Sequence, residues 1–124
     1  MTTTRYGAHF VYCNPQRILI NGVVEINALG KIAAIFSLND CMHETANTIF
    51  YSGIIIPALL LPEDIPALEN YSVFEVLNTR CEEKKIELQE GLSETIFVLQ
   101  AIDLTNKRFS ANTWLQEVSC FANT

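Results

Sequence analysis

Positive charge is scarce in this sequence: eight Lys and Arg stand against fourteen Asp and Glu, for a formal net charge of −6. The basic residues are dispersed or interleaved with acids, as in Glu82-Glu83-Lys84-Lys85. Binding to phosphate backbones needs clustered cations, so nucleic acid and anionic membrane surfaces are not expected partners. Long apolar runs are also lacking. The longest, Ile54 to Pro62, falls well short of the ~20 residues that cross a bilayer. The opening Met1-Thr2-Thr3-Thr4-Arg5 has none of the apolar stretch of a secretory signal, so a cytoplasmic protein is expected. No Cys-x-x-Cys pair occurs among the four cysteines, Cys13, Cys41, Cys81 and Cys120. Zinc-ribbon and thioredoxin-like chemistry therefore has no support, and the cysteines read as reduced, mostly core-packing thiols. A phosphate-binding loop is absent too, because Gly53 to Pro57 opens no helix and carries no Lys-Ser/Thr pair.

What is present is the composition of one folded domain. In 124 residues, 49% are hydrophobic and 18% are charged, enough to bury a single core and too little chain for a barrel enzyme beside another module. β-formers alternate from Tyr6 to Cys13 before Asn14-Pro15 turns the chain. Arg17 to Ile26 reads as a second strand, with Asn21-Gly22 as a hairpin turn or bulge within it. Asn27 to Lys31 supplies a short loop and Ile32 to Leu38 a third strand, which makes a meander of antiparallel strands. Asn39 to Asn47 is a polar loop carrying Cys41, Met42 and His43. Thr48 to Ile56 is the next strand, and Glu63 to Asn70 reads as a connector. Ser72 followed by Glu75 has capping-box spacing, and Val73, Val76, Leu77 and Cys81 recur at helical intervals, which predicts a helix over Ser72 to Lys85. Thr95 to Ile102 is a further β run. Phe109 to Phe121 is ambiguous between a short helix and a last strand.

Within this order of elements, Gly53-Ile54-Ile55-Ile56-Pro57-Ala58 resembles the Gly-x-x-x-Pro-Gly segment of amidohydrolase-superfamily enzymes. The likeness is to the aminodeoxyfutalosine- and S-adenosylhomocysteine-deaminase-like branch. Ile20 to Ile26 and Gly30 to Ile35 are similar to that family's opening hairpin. Glu90 to Leu99 and Asp103 to Phe109 resemble its C-terminal return to the small β domain. In the family the Pro-Gly turn leads to a His-x-His pair that binds the catalytic metal and lowers the pKa of a bound water. Here Glu63 and Ile65 stand in those places, Ala58 replaces the Gly, and there is no room for the (β/α)₈ barrel of ~250 residues that supplies the other ligands. The resemblance implies a mainly β protein, a β-sandwich with one or two helices. It would be a single composite domain built from N-terminal strands (about 5–60) and a C-terminal helix plus strands (about 72–120). It also implies a non-catalytic role with no metal or cofactor.

Polar candidates are few. His9 falls on the polar side of its strand, and His43 beside Cys41 and Glu44 is a loop histidine, too few ligands for a metal. Glu63 and Asp64 are adjacent acids that could serve a small hydrolase as acid and base, though adjacent acids after a Pro in a connector are more often just solvated. The continuous apolar run through Ile56, Leu59, Leu60 and Leu61 must be covered on both faces. Self-association through that patch, as a homodimer or with a protein partner, is one expectation. The helix from Ser72 folding back over it is the alternative. A second role would be an accessory subunit docking on a complete amidohydrolase.

Overall fold

The computed structural model of the chain describes residues 3–39 and 48–118. Apolar alternation from Tyr6 onward produces β1 (Thr4–Asn14), which pairs antiparallel with β2 (Arg17–Ile26). Asn14 shapes the turn between them, its Oδ1 accepting from the Gln16 amide at 2.8 Å. β3 (Ile32–Ser37) follows the Asn27 loop, where the Asn27 Oδ1 accepts from the amides of Leu29 and Lys31 and Gly30 supplies the left-handed φ of 79°. These three strands are the meander that the sequence predicts.

β4 (Thr48–Ile56) does not extend the meander. It lies on the far side of β1 and pairs with it in parallel. β5 (Ile96–Gln100) and β6 (Trp114–Val118) add antiparallel beyond it, so the ambiguous tail holds a strand. Among the described residues, six strands form one sheet in the order β3-β2-β1-β4-β5-β6. The protein is therefore mainly β, and its N-terminal and C-terminal segments meet where β4 pairs with β5.

A bend crosses the sheet near His9. In β1, Tyr6 and Ala8 enter the same core cluster as Val11 and Cys13, so strand alternation slips by one residue between them. β2 slips likewise at Asn21, whose φ of 52° is left-handed, and β4 accommodates the step with one extra residue, pairing Ala8 with Tyr51 but Phe10 with Ile54. Gly53 stands at this step because a Cβ there would collide with the Leu99 carbonyl oxygen. Asn21-Gly22 makes no hairpin turn: β2 runs on through it, in unchanged register with β1 on either side, with Asn21 left-handed.

The bend lets one sheet cover two cores. On one side, Val24, Ile26, Ile32, Ile35, Ile55, Ile96, Val98 and Val118 share a cluster. β3 and β6, the opposite edges of the sheet, both contribute side chains to this cluster. The segment before β5 lies against it: Leu88 N donates to Cys13 O, and residues Gly91 and Leu92 exchange backbone hydrogen bonds with Ile32.

On the other side lies α1 (Val73–Lys84), capped by Ser72 Oγ accepting from the Glu75 amide at 3.4 Å and ended by Lys85 at a left-handed φ of 59°. Its Val73, Leu77 and Cys81 pack on Tyr12, Ile54, Ile56, Leu59 and Leu99. The expected connector instead contains a short 3-10 helix, Pro62–Leu68. Its prolines argue for irregular chain in sequence, yet Pro62 stands at the first helical position, where a missing amide costs nothing. Among the described residues no helix is long and apolar enough to cross a membrane.

Candidate functional site

The apolar run is not a surface. Ile54, Ile55, Ile56 and Leu59 are fully buried and Leu60 is 3% exposed, whereas Leu61 is 54% exposed. Ile56, Leu59 and Leu60 are covered from within the chain by α1 and by Ile65 of the 3-10 helix. The interface expected at Ile56, Leu59, Leu60 and Leu61 is thus corrected to a core, with Leu61 alone reaching solvent. Helix fold-back, the alternative cover, is what occurs.

The two acids do different things. Asp64 Oδ2 accepts from the Leu61 amide at 2.9 Å and from Arg80 Nη1 at 3.2 Å. These bonds hold its carboxyl below the usual carboxylate range, the Leu61 amide contributing most. Asp64 therefore ties the start of the 3-10 helix to α1. Glu63 is exposed. His9 is exposed at the sheet bend, beside a shallow depression of about 180 Å³ that it lines with Asn21, Phe50 and Tyr51. His43, with Cys41 and Glu44, lies outside the described residues, as does Cys120. Cys13 and Cys81 are free, buried thiols, in keeping with the packing role read from sequence. Burial pushes the Cys13 thiol up to about 11, and burial likewise raises Cys81, whose Sγ donates to the Ile86 carbonyl at 3.3 Å. Both stay protonated at neutral pH. Among the described residues, no three His, Cys, Asp or Glu side chains come together as a metal-binding group.

The feature that sequence reasoning passes over is a ridge on β2. β3 pairs with β2 only from Gly22 onward, so Arg17 to Asn21 forms a stretch of β2 beyond the end of that ladder. On the α1 side of this stretch Ile20 is 56% and Ile18 37% exposed. They stand opposite Phe10 and Tyr12 of β1, and these pack against Phe74 of α1, the Phe10 and Phe74 rings meeting edge-on at 5.4 Å. The signal was available: Ile18-Leu19-Ile20 is apolar on both faces, Leu19 turning into the opposite core.

Charge is distributed unevenly along the ridge. At the Ile20 end, Lys107 Nζ lies 5.9 Å from the centre of the Phe10 ring. At the Ile18 end, Tyr12 donates to Asn78 Oδ1 at 2.7 Å, and its hydroxyl pKa is raised by burial first and by Cys81 and the Glu82 carboxylate after it. A groove there is lined by Asn14, Gln16, Glu82, Lys85 and Glu87, which leaves that end net negative. On the opposite face, Arg17 and Glu90 form a two-pronged ion pair, with bonds of 2.9 and 2.8 Å, that holds the Glu90 carboxyl down at about 2. No protein-family model, no curated protein and no solved structure matches the chain.

Proposed function

We propose that this chain is a non-catalytic, amidohydrolase-like β domain that works by binding another protein surface. The observation that carries the reading is the exposed Ile18–Ile20 ridge, an apolar strand face left open while every comparable apolar residue of the Ile54–Leu60 run is packed away. Monomeric proteins tolerate scattered exposed apolar residues, but a ridge backed by aromatic side chains is the ordinary foundation of a contact site.

Two further observations support the family resemblance. The segments that resemble the opening and closing strands of those enzymes are joined in one sheet by the β4–β5 pairing. Past Pro57, where the enzymes continue into the barrel, this chain runs directly into the 3-10 helix and α1, and these cover the apolar run. The barrel's covering role thus passes to two short helices. Asp64 serves helix capping, which removes one of the two acids a hydrolase would need, and Glu63 has solvent around it.

Incubation of the purified full chain with zinc, nickel or iron(II), followed by metal quantification and by amide-hydrolysis and aminopurine-deamination assays, tests this reading. It expects no stoichiometric metal and no turnover above buffer. Stoichiometric metal together with hydrolysis lost in Asp64→Asn or Glu63→Gln would replace it with the small-hydrolase reading.

A further inference from the structure

We propose that the partner seated on the β2 ridge is a second copy of this chain, related by a two-fold axis that passes near Leu19. The inference rests on the reading of the chain as a binding domain and names its surface and occupant.

Charge is complementary along a short apolar strip. Ile20 and Ile18 are the exposed pair, and Leu19 between them turns into the core, so an axis near Leu19 sets Ile18 of one copy beside Ile20 of the other. This superposes apolar on apolar, as the self-matching geometry of two-fold contacts requires. The same rotation carries the Lys107 end of one copy to the Glu82 end of the other. Lys107 lies over Phe10, the β1 partner of Ile20. Glu82 lines the groove with Asn14, Gln16 and Glu87, and Asn14 lies two residues along β1 from Tyr12, the partner of Ile18. The ridge is therefore positive at one end and negative at the other, and two copies in antiparallel approach satisfy both ends at once. A parallel approach would set like charges together, which opposes it. Among the described residues Lys107 has no ion-pair partner within its own chain, since the ion pairs join Arg5 to Glu25, Arg17 to Glu90 and Arg80 to Asp64. Among the described residues β3 pairs with β2 only from Gly22 onward, while Ser37 Oγ donates to the Ile20 carbonyl and fixes the strand at its bend.

Sedimentation velocity of the full chain over a wide concentration range tests the proposal. Wild type is expected to pass reversibly from monomer to dimer. Ile20→Asp sets two carboxylates beside apolar side chains at an exposed site and should raise the dissociation constant roughly tenfold or more. Lys107→Glu and Glu82→Lys, both at exposed positions, should each weaken the dimer roughly two- to fivefold. The double variant should restore it, a rescue that general damage to folding would not give. A wild type that stays monomeric at every concentration overturns the proposal. So does a dimer indifferent to Ile20→Asp, or a double variant no tighter than the single ones. None of these outcomes touches the binding reading, which fails only if metal-dependent hydrolysis is found.

Discussion

Two of the apolar stretches of strand among the described residues end differently. Ile54 to Leu60 is the longer and is sealed inside, with β1 and β5 on either side and α1 across one face. Ile18 to Ile20 is shorter and sits where β2 has outrun β3, so its outward side chains meet water. The difference lies in neighbours. A central strand is covered by whatever the sheet recruits, whereas a strand that extends past its partner keeps an open flank however apolar it is.

Substitutions should separate the two stretches by their effect on stability. Gly53→Ala, at the step in β4, drives a Cβ into the Leu99 carbonyl and should cost about 3 kcal/mol or more, or prevent folding. Leu77→Ala, which opens a cavity between α1 and the Ile54–Leu60 run, should cost about 2–5 kcal/mol in urea denaturation. A loss under about 0.5 kcal/mol for Leu77→Ala would mean that α1 does not seal the run.

Asp64→Asn separates a structural acid from a chemical one. It should lower stability by about 1 kcal/mol through the weakened bonds to Leu61 and Arg80, with thermal denaturation as the readout. Asp64→Ala should lower it further, because the Leu61 amide then has no side-chain acceptor.

Acid titration probes the opposite face of the same β2 stretch. Glu90 is depressed from 4.5 to about 2 by Arg17, so its ion pair contributes stability above pH 4.5, and that contribution fades as pH falls toward 2. Because both side chains are partly exposed, the effect is small. Glu90→Gln should flatten that part of the stability profile, and an unchanged slope would remove Glu90 as its source. The smallest effect is expected at the ridge: Ile20→Ala should change monomer stability by no more than about 0.5 kcal/mol while weakening self-association.

Much of this was legible in the sequence, for physical reasons that differ by element. Arg17–Ile26 and Thr48–Ile56 coincide with β2 and β4 because β-branched runs bounded by turn residues leave little choice. The helix over Ser72–Lys85 matches α1 with its caps, since capping is local chemistry. The parallel placement of β4 beside β1 was not legible, because strand order is decided by long-range packing. The fate of Leu59 and Leu60 was open for the same reason. Apolar character announces that a residue will be covered and is silent about what covers it. The Ile18–Ile20 ridge shows the converse, since nothing local reveals that β3 ends opposite Gly22.

Hydrogen–deuterium exchange of the full chain, followed peptide by peptide at low and high protein concentration, tests the central contrast most directly. The account predicts that amides across Ile54–Leu60 exchange slowly at every concentration, and that those of Arg17–Asn21 not already bonded to β1 gain protection as concentration rises. Concentration-dependent protection of Ile54–Leu60, with Arg17–Asn21 unaffected, would contradict it and return the contact surface to the apolar run.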